Sequence, residues 1–413
     1  MSVAFTKEMK KDYTIVAPNM SPIHFALFEK VLINNGYKAL VLNNENPSII
    51  QKGLKYVHND MCYPALLVIG QMIDAIERDL VDSHKCALAI TQTGGGCRAS
   101  NYYFLLIKAL ERAGLDYIPV ISLNLAGMNK NPGFKITLTM VLQAVSALLY
   151  DDEIMYLRNQ VKPYEVNEGE TDSLVKKWVE DLSQRYKDNR GYFWSNITKN
   201  LNKISDDFAS IPVKRKKKVK VGIVGEIYMK YSRFGNSNLQ AFLEHEGCEV
   251  MLPPLLGFFL YGVSNAIKDN EYYGTKPIYS KVDKHFILPF LEKSEKWLRA
   301  AISRHKEFVL PSTLSELEEN VDGIIDRGCK MGEGWLLTAE MVELIKKGYS
   351  NIVCTQPFGC LPNHIVGKAM IRPLKEKYPE SNIVPIDYDP SATKVNQENR
   401  IKLMLAVARE HIE

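Results

Sequence analysis

The sequence predicts an α/β protein of two Rossmann-like lobes, each a doubly wound parallel sheet, joined by a helical bridging segment. Three observations predict it. From Tyr13 to Leu149, short β-rich runs alternate with stretches of helical spacing, the pattern of parallel strands joined by crossover helices. Between Asp151 and Pro212 the chain turns helical and charged, and the alternation resumes at Val219. These shifts set expected boundaries at 1–150 for the first lobe, 151–215 for the bridge and 216–413 for the second lobe.

In the first half, Tyr13 to Pro18 is a β-rich run. Pro22 to Asn34 has helical spacing with Gly36 as its C-cap, and Lys38 to Leu42 is a second strand. After Tyr56-Val57-His58-Asn59-Asp60-Met61-Cys62-Tyr63, Pro64 opens a helix reaching about Arg78. Cys62 therefore stands at a helix amino terminus, where unpaired amides and the macrodipole favour a thiolate. A buried strand from Cys86 carries Gln92 and ends in Gly94-Gly95-Gly96-Cys97-Arg98, which leads into a helix over Asn101 to Ala113. A strand at Tyr117 to Asn124 and a helix at Thr137 to Leu149 follow. Five strands are expected in this half.

The second half opens with the strand Val219 to Glu226 and continues through a strand at Cys248 to Leu252 and an apolar stretch, Leu255 to Val263. Helices are expected at Val282 to Phe308 and Ser312 to Asp326, before a loop from Arg327 through Cys329 and Glu333 to Trp335. A helix from Leu336 to Lys347 then returns to the strand before Cys354. Helix Asn363 to Lys377, strand Asn382 to Tyr388 and helix Thr393 to His411 close the chain. Two such lobes place their loops around one cleft at the carboxyl ends of the strands, where ligands sit in open α/β sheets.

Composition limits the functions on offer. A net charge of +4 over 413 residues is too small for a nucleic-acid partner, and no aromatic residue interleaves the most basic run, Lys214 to Lys218, which reads as a solvated linker edge. Met1 to Lys11 lacks the apolar core of a signal peptide, and no segment approaches the roughly 20 apolar residues of a membrane span. The expectation is a cytoplasmic protein without a membrane partner. Thiols stay reduced there, so seven cysteines, an odd number, do not read as a disulfide framework.

Cys86 and Cys248 begin strand runs without Gly or Pro beside them and read as small buried apolar residues. Cys62, Cys97, Cys329, Cys354 and Cys360 differ: each lies in a loop or at a helix start rich in Gly, Pro or Asn. Cys354 and Cys360 are expected on one loop, because Pro357, Gly359 and Pro362 stop either neighbouring element. A thiolate set suits zinc or an iron-sulfur cluster. Structural zinc sites use close Cys-x2-4-Cys pairs, and none is present. Donors scattered singly over two lobes suit a cluster held between them. The competing reading is a Cys97 or Cys360 nucleophile with His364 as base, which leaves the other loops without a role.

Four motifs carry a family resemblance: Asn59-Asp60-Met61-Cys62-Tyr63-Pro64, Thr91-Gln92-Thr93-Gly94-Gly95-Gly96-Cys97-Arg98-Ala99, Lys330-Met331-Gly332-Glu333-Gly334-Trp335 and Gln356-Pro357-Phe358-Gly359-Cys360-Leu361-Pro362-Asn363-His364. They resemble those of the 2-hydroxyacyl-CoA dehydratase-related proteins, and more narrowly the double-cubane cluster proteins and the carboxy-terminal part of the large CoA-enzyme activases. The likeness runs from about Pro18 to Leu405. It implies an oxygen-sensitive iron-sulfur reductase that receives single electrons from an ATP-hydrolysing activator and acts on a small or CoA-linked substrate. The chain has no recognisable P-loop, so that activator is a separate polypeptide, and the likeness also implies a homodimer. Two other readings stand beside it: a 2-hydroxyacyl-CoA dehydratase subunit, and a non-enzymatic electron relay or cluster carrier.

The cofactor implied is a double-cubane [8Fe-9S] cluster, expected to use six cysteines, against five in matching motifs here. Either Cys86 or Cys248 completes the set, or another group or an open iron does, or a single [4Fe-4S] cubane uses three of the five. Around such a cluster Gly95 and Gly96 let backbone amides approach sulfur, since no Cβ intervenes. Gln92 and Gln356, at similar places in the two lobes, are candidate amide donors. Glu226, Tyr228, Glu333 and His364 are the candidate proton donors.

Overall fold

In the computed structural model, which describes residues 3–93, 95–123, 131–274 and 277–410, each half of the chain builds one four-stranded parallel sheet. The strands β1 (Thr14–Pro18), β2 (Lys38–Leu42), β3 (Cys86–Thr91) and β4 (Val120–Leu123) form the first, in the order β2-β1-β3-β4. The second comprises β5 (Lys220–Gly225), β6 (Glu249–Met251), β7 (Asn351–Pro357) and β8 (Asn382–Tyr388), in the order β6-β5-β7-β8. Counted from its own first strand, each lobe has the same order. The chain steps outward once and then crosses back, so a switch point lies between β1 and β3 and another between β5 and β7. In doubly wound sheets the crevice at that point receives the ligand.

The first half has four strands rather than five. Between Leu42 and Cys86 the chain makes the helices Ser48–Tyr56 and Tyr63–Glu77 and, among the described residues, no strand. Every residue from Tyr63 to Ile76 is buried, because this crossover helix is covered on all sides and needs no polar face. The strand expected at Tyr117 begins at Val120, and Asn124 and Gly94 lie outside the described residues.

A 24-residue helix, Leu138–Val161, runs from the first lobe past the expected junction at 150 without a break. The bridge helices Glu170–Lys187 and Trp194–Ala209 pack on it. Midway along it, the fully buried Asp152 accepts from His24 Nε2 (3.0 Å), Leu255 N (2.6 Å) and Leu256 N (2.8 Å). His24 belongs to the helix Pro22–Asn34 of the first lobe and Leu256 begins the helix Leu256–Tyr273 of the second. One carboxylate thus ties both lobes to the bridge. The apolar stretch at Leu255 is the start of that helix; the helical region expected over Val282–Phe308 is helical from Pro277 through a π-turn at Asp283–Ile287 and ends at Ile302, and the helix expected over Ser312–Asp326 is the shorter Leu314–Asn320. Thr313 and Glu316 close a reciprocal cap that starts the latter helix two residues into the expected span. No helix among the described residues is long and apolar enough to cross a membrane.

Candidate functional site

Three of the five candidate thiols occupy the same structural position. Cys62 immediately precedes the helix Tyr63–Glu77, Cys97 the 3-10 turn Arg98–Asn101 that feeds the helix Tyr102–Ala113, and Cys360 the helix Leu361–Val366. All three hold extended backbone, so each stands at the mouth of a turn whose first amides have no partner within it. The amides of Ala65, Ala99 and Asn363 pull Cys62, Cys97 and Cys360 respectively downward, each against the larger effect of burial. Two of the turns share a Cys-x-Pro start, with Pro64 and Pro362 fixing φ where no amide is required.

The lobes touch at these turns. Tyr63 N donates to Phe358 O (2.9 Å), and a Cβ on Gly359 would lie 3.0 Å from the Cα of Cys62. Gly359 also has φ +72°, a left-handed conformation that glycine adopts freely. A Cβ on Gly96 would meet the Met331 thioether at 2.6 Å, whereas Gly95 faces open space. Gly359 and Gly96 are thus placed where one lobe approaches the other, and Gly95, a candidate for close approach to a ligand, meets nothing within 4 Å.

Two carboxyls share the region. Glu226 follows β5, and Glu333 precedes the helix Gly334–Lys346. Glu333 Oε1 accepts from Ile227 N and Glu226 Oε2 from Met229 N, both at 2.9 Å, so both carboxyls cap the same short helix, Ile227–Tyr231. Burial pushes Glu226 up to about 8, and the charge of Glu333 adds to it. Burial raises Glu333 as well. The pair therefore retains a proton near neutral pH, since two desolvated carboxylates facing each other do not both ionise. The buried Lys230 is committed to Glu340, at 2.8 and 3.0 Å.

The charges of Glu333, Glu226 and Cys62 act on Cys97, and those of Glu333, Glu226 and Cys97 on Cys360. Cys62 is acted on by Glu226 and, in the opposite sense, by Arg98. Three thiols and two carboxyls from both lobes thus form one electrostatic group. Burial drives all three thiols upward, Cys97 to about 11. As bare thiolates they would be strongly disfavoured, and a positively charged centre bound to sulfur is what reverses that.

Of the other cysteines, Cys354, Cys86 and Cys248 stand apart, while the loop that carries Cys329 touches the Cys97 and Cys360 turns through Met331 and Gly332. Cys354 is inside β7, not on the loop with Cys360: the strand continues to Pro357, whose last two positions pair with β8 alone and so tolerate a missing amide. Its sulfur packs against Gly367, and the charges acting on it are Asp387, Glu340 and Lys368. Cys329 is exposed in the loop before Glu333, its carbonyl accepting from Trp335 N (2.7 Å). Cys86 and Cys248 are buried, with Asp82 near the first, and Arg409, Glu246 and Lys218 near the second.

The two glutamines brace the thiol turns. Gln92 Nε2 donates to Ser100 O (2.7 Å) and its carbonyl accepts from Ser122 Oγ (3.1 Å). Gln356 donates to Asn363 O (3.3 Å) and accepts from His364 N and His364 Nδ1 (3.2 Å each). In each lobe the amide thus holds the carbonyl three residues beyond the cysteine, which uses one of the two N–H donors of each side chain. His364 is turned toward Gln356, and among the described residues no hydrogen bond joins it to the Cys360 thiol, against a nucleophile and base pair. Tyr228 is buried beside Glu226. Neither Tyr102, whose hydroxyl lies 2.9 Å from Cys62 Sγ, nor Met331 packed on Gly96 carries a local sequence signal.

Among the described residues, no three His, Cys, Asp or Glu side chains are grouped to hold a single metal ion. Sulfurs bound to one zinc, at about 2.3 Å each, lie within roughly 4 Å of one another. Thiolates of a cluster bind separate irons and stand farther apart, so a donor set spread over three turns suits a cluster in its chemistry. No family model matches the chain, and neither does any curated protein.

Proposed function

We propose that this chain is an iron-sulfur reductase of the 2-hydroxyacyl-CoA dehydratase-related type, holding one [4Fe-4S] cubane on Cys62, Cys97 and Cys360. The carrying observation is that these three cysteines, from both lobes, each precede a helical turn, that the turns of Cys62 and Cys360 meet at the lobe contact, and that all three sense the charge of Glu226. Three gathered thiols favour a single cubane with one iron free of protein sulfur over a six-cysteine double cubane. When bound, the cluster supplies one low-potential electron at a time to a small or CoA-linked substrate, the electrons arriving from a separate ATP-hydrolysing activator.

The protein's own part follows from its groups. The amides of Ala65, Ala99 and Asn363 favour the charged form of the sulfurs. Cys62 and Cys360 are buried, and the close approach of Gly359 to Cys62 helps to cover them, whereas Cys97 beside the exposed Gly96 and Met331 is only half-buried. The Glu226–Glu333 pair retains a proton beside the thiols, in position to accompany an electron delivered to substrate. Gln92 and Gln356 hold the turns rather than the substrate.

Purification without oxygen, with iron and acid-labile sulfide counted per chain, tests this. About four of each are expected, falling by more than half in Cys62→Ala, Cys97→Ala and Cys360→Ala and unchanged in Cys86→Ala and Cys354→Ala. Zinc in place of iron, or iron unaffected by all three substitutions, would reject the reading. Incubation with activator, ATP and reductant then separates a reductase, which turns substrate over, from a relay, which is only reduced.

A further inference from the structure

Tyr102 begins the helix that the Cys97 turn feeds, yet its hydroxyl reaches the other first-lobe turn, 2.9 Å from Cys62 Sγ. Its ring is buried, and among the hydrogen bonds of the described residues the hydroxyl has no other partner. A phenylalanine would fill the same space and bury the same apolar area. The hydroxyl is therefore explained by the sulfur it meets.

We infer that Tyr102 is a positioning residue that donates a hydrogen bond to the Cys62 sulfur, sets the reduction potential of the centre and ties its two first-lobe ligands together. This inference rests on the cluster reading above. In a thiol, either partner can be the donor. A sulfur bound to iron is a thiolate without a proton, so the O–H of Tyr102 must be the donor and the sulfur the acceptor. Adding one electron places more negative charge on the cluster and its sulfurs, so a donor at sulfur stabilises the reduced form more than the oxidised one and raises the potential. The bond needs no ionisation of the tyrosine. It spans Cys62 and the helix that follows Cys97, so the donor moves with both ligands.

The test compares wild type, Tyr102→Phe and a chain carrying 3-fluorotyrosine at position 102, all loaded with iron and sulfide without oxygen. Iron is counted first, and each is then titrated potentiometrically with the reduced cluster read by electron paramagnetic resonance. Tyr102→Phe is expected to keep the wild-type iron content. At the wild-type midpoint its ratio of reduced to oxidised cluster should fall about tenfold, equivalent to about 59 mV for one electron. The fluorinated side chain is a stronger donor and should shift the midpoint the opposite way, which a packing role would not do. Equal midpoints with iron retained would overturn the inference. So would loss of iron from Tyr102→Phe with an unchanged midpoint in what remains. Absence of iron from the wild type would defeat the cluster reading itself, and the iron count taken before titration tells that failure from the others.

Discussion

Replacing Gly359 by alanine perturbs the contact between the lobes where the proposed site is assembled. The new Cβ would stand 3.0 Å from Cys62 Cα, 3.2 Å from Cys62 N and 3.2 Å from Met61 O, all backbone atoms that cannot swing aside. Alanine at φ +72° also carries a left-handed penalty of about 1–2 kcal/mol. Relief requires the Cys360 turn to retreat, which stretches the 2.9 Å bond from Tyr63 N to Phe358 O, worth about 0.5–1.5 kcal/mol net. The total is about 1.5–3.5 kcal/mol. Gly96→Ala is the control: it meets the flexible end of Met331, which can swing away, for less than about 1 kcal/mol. Urea unfolding of the iron-free variants should lower the midpoint for Gly359→Ala with little change for Gly96→Ala, at the same slope. Iron retained after anaerobic loading should fall with it. A Gly359→Ala protein as stable and as iron-rich as wild type would refute the lobe contact as the element that places Cys62 against Cys360.

Three other outcomes follow from the structure. Asp152→Ala leaves His24, Leu255 N and Leu256 N without their acceptor and should cost about 3–5 kcal/mol in denaturant unfolding; a loss under 1 kcal/mol would remove it as the tie between lobes and bridge. Glu226 has a folded pKa raised from 4.5 to about 8, so the stability it contributes is full below about 4.5 and is lost as pH rises through about 8, at up to about 1.4 kcal/mol per pH unit. Iron-free Glu226→Gln should therefore unfold at a urea midpoint that varies less between pH 5 and 8.5 than that of wild type; equal slopes would contradict the buried carboxyl pair. Cys354→Ala, inside β7 and away from the thiol group, should change iron content by less than a tenth, measured by a colorimetric iron assay.

Much of the fold is legible in the sequence because the strands are short, apolar and separated by helical spacing. Cys86–Thr91 and Lys220–Gly225 are buried runs bounded by loops, and both were expected as strands. Strand count was harder. Four runs of strand character lie in the first half and all four are strands, so the expected count of five is one too many. Local spacing could not tell that β7 runs on through Cys354 to Pro357, because the tolerance for proline there depends on β5 having already ended at Gly225. The site was legible in part. A cysteine in a loop or at a helix start rich in Gly, Pro or Asn is a local signal; it picks out five, of which Cys62, Cys97 and Cys360 precede helical turns and Cys354 lies inside a strand. Which thiols share a neighbourhood is a property of how two lobes dock, hundreds of residues apart in sequence. The opposition of Glu226 to Glu333 and the approach of Tyr102 to Cys62 have no local signature at all.

The most direct measurement is an anomalous-scattering map recorded at the iron edge from crystals grown without oxygen. The account predicts one compact iron peak per chain, bounded by the sulfurs of Cys62, Cys97 and Cys360 and lying toward Glu226 and Glu333, with none at Cys86, Cys248 or Cys354. Iron centred on Cys329 or Cys354, or a map empty between the two lobes in a protein that still carries its activity, would contradict it.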